Sequence, residues 1–69
     1  MKLVMQSNDP VAFSFAEAVL KAEGIGSYAL DGNMSVLEGS IGILPRRLMV
    51  ADEDEAQALD LLRAADLVP

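Results

Sequence analysis

Neither a cysteine nor a histidine occurs in the 69 residues of this chain. That double absence constrains the fold more than any motif present. A domain this small buries only about 60% of the surface its unfolded chain exposes. Such domains commonly add disulfides, a structural metal or a partner subunit. Without Cys no disulfide forms, and without Cys and His the usual zinc sites cannot be built. What remains is good packing or association with another chain. Apolar residues make up 52% of the sequence, an excess that favours a covering partner. No metal or cofactor is expected, and the length fits one domain over residues 1–69.

Eleven acidic residues against five basic ones leave a net charge of −6. An acidic chain repels phosphate backbones and anionic headgroups, so neither nucleic acid nor a membrane surface is an expected partner. No apolar run approaches the roughly 20 residues that span a bilayer. The first residues, Met1–Gln6, carry too short an apolar stretch for a signal peptide before Asn8-Asp9-Pro10 intervenes. The expected compartment is the cytoplasm.

The local signals order themselves along the chain. Residues 2–6 read as a strand. Asn8 or Asp9 can cap a helix with Pro10 at its first position. That helix runs to about Glu23, where Gly24 is the expected left-handed stop. Ser14, Glu17 and Lys21 form its polar face, and the apolar arc spans about 220°, against roughly 100° for an ordinary surface helix. Val11, Phe15, Ala18, Val19 and Ala22 lie opposite the polar face, and Ala12, Phe13, Ala16 and Leu20 extend the arc. Either that flank packs on a second helix, or Phe13 and Leu20 meet another subunit.

Ile25–Leu30 reads as the second strand and Asp31-Gly32-Asn33 as a turn. Met34–Leu44 reads as a glycine-bearing, partly apolar loop closed by Pro45. Arg46–Ala51 reads as the third strand, with Leu48 and Val50 on one side and Arg47 and Met49 on the other. Asp52 is placed to cap a second helix, with Glu55 completing a capping box and an apolar stripe of Ala58, Leu59, Leu61, Leu62 and Ala65. Residues 66–69 are a tail or a very short fourth strand. The order β-α-β-β-α(-β) is that of an α+β, ferredoxin-like split β-α-β fold: an antiparallel sheet with two helices on one face.

Little catalytic equipment is in view. No His stands ready to activate Ser7, Ser14, Ser27, Ser35 or Ser40. Tyr28 reads as a core-edge aromatic with its hydroxyl in water. The acids Asp52–Glu55 diverge at a helix start, where they suit the dipole better than a metal. Gly39-Ser40-Ile41-Gly42 precedes a strand and lacks the Gly-Lys-Ser/Thr ending of a phosphate loop. Arg46 and Arg47 are the only adjacent basic pair. Neighbours on a strand point to opposite faces, so the anion site open to them is Arg46 acting with the loop before it. Met34 and Met49 are candidates for an adaptable apolar surface.

Several features in fixed order resemble a known family. They are Asn8-Asp9-Pro10-Val11 after a first strand, then Ala16 and Leu20, then Gly24-Ile25, with Asp31 ending the second strand. Val50, the acidic start Glu53-Asp54 and Ala56 through Leu62 complete the pattern. The chain resembles the small bacterial putative prokaryotic signal-transducing proteins, a family of unknown function with a PII-like, ferredoxin-like fold. Ala51 departs from the Pro common there, and the loop before Pro45 is variable among such proteins. The resemblance implies no catalytic residues.

The expected function is therefore a non-enzymatic regulatory or protein-interaction module. It binds a partner protein or itself, as a homo-oligomer such as a dimer, through the outer sheet face, the loop or the Phe13–Leu20 flank. The alternative is a small-molecule sensor for an anionic metabolite, using the 34–46 loop and Arg46.

Overall fold

The computed structural model describes residues 1–32 and 44–69. Strand β1 (Lys2–Ser7) leads into helix α1 (Pro10–Ala22). Strands β2 (Ser27–Gly32) and β3 (Leu44–Val50) come next, then a short 3-10 turn (Asp52–Asp54) and helix α2 (Glu55–Ala64). The sheet order is β1-β3-β2, with β3 antiparallel to both neighbours. Both helices pack on the sheet and on each other. This is the α+β arrangement expected of a split β-α-β chain.

Helix α1 starts as its sequence dictates. The Asp9 carboxylate accepts from the N–H groups of Val11 (2.9 Å) and Ala12 (3.4 Å). Pro10 occupies a position where a missing N–H costs nothing. The Ser7 hydroxyl in turn accepts from the Asp9 N–H at 3.0 Å. At the other end Gly24 adopts φ +76°. Its N–H donates to the Lys21 carbonyl, and the Ile25 N–H reaches back to the Leu20 carbonyl. This paired closure satisfies carbonyls the helix leaves open and drops Ile25 into the core.

The core fixes which side of α1 faces inward. Phe13, Ala16 and Leu20 have no exposure, and they meet Leu48 and Val50 of β3 and Ala58 and Leu62 of α2. Phe13 and Leu20 are thus core residues, and the expectation that they contact another subunit is overturned. The wide apolar arc is compatible with either side facing in; the buried side is the one that carries Phe13, Ala16 and Leu20, and Ile25 joins them in the core. In β1 the register against β3 shifts between Leu3 and Met5. Val4 is the extra residue of a bulge, which is why Val4 and Met5 are buried in succession.

Other boundaries shift for identifiable reasons. β2 begins at Ser27, because Ile25 is spent closing α1. Asp31 and Gly32 belong to β2, and Gly32 pairs with Leu44, so β3 starts before Pro45. The second helix is not capped as expected. Asp52–Asp54 form a 3-10 turn, and neither Ala51 before that turn nor Asp54 before α2 makes a side-chain cap hydrogen bond. The Asp52 carboxylate instead pairs with the N-terminal ammonium of Met1.

No fourth strand forms over residues 66–69. Asp66, at φ 61°, takes the left-handed position that ends α2. Its N–H donates to the Arg63 carbonyl and that of Leu67 to the Leu62 carbonyl. Leu67 and Val68 then fold back onto the core.

Candidate interaction surface

Cross-strand pairing builds the open face of the sheet row by row. Leu3 and Tyr28 both pair with Met49, and directly opposed residues share a face. The next row is Gln6, Arg47 and Leu30. This face lies opposite the one that buries Leu48 and Val50. Leu3 is 45% exposed, Tyr28 58% and Leu30 41%, and Met49 between them is half-buried. The result is an apolar surface with one cation, Arg47, and no carboxylate in either row. Met49 thus lies on the open face, between Leu3 and Tyr28. Met34 lies outside the described residues.

Tyr28 and Leu30 do not stand out in the sequence as surface residues. Their signal is the alternation of β3: once Leu48 and Val50 are inside, anything paired with Met49 and Arg47 must be outside. That inference needs the β2–β3 register, which the turn composition alone does not define.

The two arginines diverge. Arg46 is half-buried on the helix-bearing face, its guanidinium 4.4 Å from the centre of the Phe13 ring. Arg47 is exposed on the other face. They do not form one clamp, and the loop expected to complete an anion site with Arg46 falls outside the described residues.

A groove of about 380 Å³ lies between β1, α2 and the last residues of the chain. Its walls are residues 3–6 of β1, Leu59 of α2 and the tail 67–69, so Gln6 is its one polar side chain. Among the described residues no three His, Cys, Asp or Glu side chains converge. The one acid with a distinct environment is Asp52. A hydrogen bond and charge attraction from the Met1 ammonium, aided by Lys2, hold its carboxyl below the usual carboxylate range. That arrangement ties Met1 to the β3–α2 junction. No helix among the described residues is long and apolar enough to cross a membrane.

A family model described as putative prokaryotic signal transducing protein matches residues 1–66. No curated protein matches the chain.

Proposed function

Because the chain belongs to the putative prokaryotic signal transducing protein family, we propose that it is a non-enzymatic interaction module whose working surface is the open sheet face. The observation that carries this reading is the exposed row Leu3–Met49–Tyr28, extended by Leu30. A monomeric domain gains nothing from holding an aromatic and three aliphatic side chains together in water, and such patches mark protein contacts. Tyr28 suits an interface, with a large apolar ring and a hydroxyl that tolerates a wet rim. Arg47, next to Leu30, adds a cation that selects a partner carrying a carboxylate opposite it.

The anionic-metabolite alternative has weaker support. Arg46 and Arg47 point to opposite faces, and Arg46 is engaged over Phe13. The groove along β1 is lined almost wholly by apolar groups.

The test compares wild type with the double variant Tyr28→Ser/Leu30→Ser as baits in a bacterial extract. Both exposed sites should tolerate the change without loss of fold. A protein retained by wild type and lost by the variant supports the reading. Equal retention by both baits, together with a thermal shift on adding an organic acid or nucleotide, overturns it in favour of the sensor.

A further inference from the structure

The side of α1 turned away from the core is apolar too. Val11 is 76% exposed and Phe15 52%, and Ala18 and Ala22 are exposed beside them. At 100° per residue these four fall within about 60° of arc, roughly opposite Phe13, Ala16 and Leu20. Their spacing of four, three and four residues is that of a helix–helix seam. Polar side chains leave the seam alone: Ser14 and Lys21 flank it, and Glu17 sits further round.

We propose that this stripe is a self-recognition surface, on which α1 of a second copy packs antiparallel. The order of sizes along the stripe carries the choice of occupant. Two large residues come first and two small ones last. Run antiparallel, Val11 of one copy faces Ala22 of the other, and Phe15 faces Ala18. Each bulky side chain meets a small one, in both directions at once, as a two-fold interface requires. Run parallel, Phe15 meets Phe15 and Ala18 faces Ala18 across a void.

Charge points the same way. The chain carries −6, yet Pro10–Ala22 holds one acid, Glu17, and one base, Lys21. Two copies approaching along α1 therefore meet less repulsion than Asp52–Glu55 and Asp60 impose around α2, with Asp9 and Glu23 at the helix ends the like charges they bring together. Antiparallel alignment also sets the helix dipoles favourably. A 13-residue helix is about 20 Å long, so one such contact covers less than the roughly 1,200 Å² of a standard stable interface. The dimer is accordingly reversible and concentration-dependent. This surface and the open sheet face lie on opposite sides of the molecule, so either assignment can fail without the other.

Two measurements on the whole chain decide the matter. In sedimentation equilibrium at rising concentration, the wild-type mass should climb from 7.3 kDa toward twice that value. Phe15→Lys, at an exposed site, should stay at 7.3 kDa and melt as the wild type does at concentrations where the wild type is monomeric. For orientation, Val11→Cys and isotope-labelled Ala22→Cys chains are mixed in equal amounts and oxidised. The cysteine-free background makes each thiol unique. Antiparallel pairing yields mainly mixed disulfides between the two variants, and parallel pairing yields like with like. Three results overturn the proposal: a wild-type monomer at every concentration, a dimer that survives Phe15→Lys but not Tyr28→Lys, or a preference for like-with-like disulfides.

Discussion

The Arg46 guanidinium lies 4.4 Å from the centre of the Phe13 ring, covering the one fully buried aromatic of the core. A cation over a ring is worth about 0.5–1 kcal/mol, and the arginine stem adds apolar contact. Arg46→Ala should therefore lower stability by about 1 kcal/mol, roughly a 4–8 °C drop in melting temperature for a domain this size. Arg47→Ala, on the exposed side of the same strand, should change it by no more than about 0.5 kcal/mol. Thermal melts of the two variants that coincide would contradict this division of labour.

The two helices end with the same backbone closure, made by different residues. Gly24 takes the left-handed position after α1, and Asp66 takes it after α2. Glycine holds that conformation without steric cost, whereas a residue with a Cβ pays about 1 kcal/mol. Asp66→Gly should stabilise the chain by a few tenths to about 1 kcal/mol, since Asp tolerates the region better than most residues. Gly24→Ala should cost about 1 kcal/mol from backbone strain alone, because no atom lies within 4 Å of the new Cβ. Urea unfolding midpoints test both, and shifts of the same sign would rule out the account.

Asp9 holds the start of α1 through two accepted N–H bonds. Asp9→Ala should cost about 1 kcal/mol, and Asp9→Gly only a few tenths. In hydrogen exchange, the amides of Val11 and Ala12 should lose protection first in the alanine variant. Loss spread evenly over α1 would mean the cap is not what holds this end.

These local devices are legible in the sequence because each depends on a few neighbouring residues. Asp9-Pro10 and Gly24 mark the bounds of α1 by side-chain chemistry and backbone freedom alone. The alternation through Leu48, Met49 and Val50 likewise sorts the two faces of β3. Legibility ends where distant residues decide. The bulge at Val4 exists only against β3, and the inward side of α1 is set by the core it shares with β3 and α2. The outer surface suffers most, because Phe13 and Leu20 are indistinguishable by periodicity from Val11 and Phe15. In a helix apolar on both sides, the sequence alone does not mark which side enters the core and which stays exposed. Only the packed structure separates them.

Asp52 shows the same dependence on a distant group, and it gives a pH prediction. Its expected role is to cap α2, but its carboxylate pairs with the Met1 ammonium. That partner holds its folded-state pKa below the unfolded value. A depressed carboxylate contributes stability that is fully present above the unfolded pKa and is lost as pH falls through the folded pKa. The contribution therefore disappears on the acid side of the ordinary Asp range. It is small, because both partners are exposed and salt screens them. Carbon-detected NMR of the side-chain carboxyl should show Asp52 titrating below the ordinary Asp range. Acetylating the Met1 amino group removes the cation and should return Asp52 to the ordinary range, leaving the core resonances of Phe13 and Leu62 in place. An Asp52 titration that ignores acetylation would show that Lys2, not the ammonium, governs this corner of the fold.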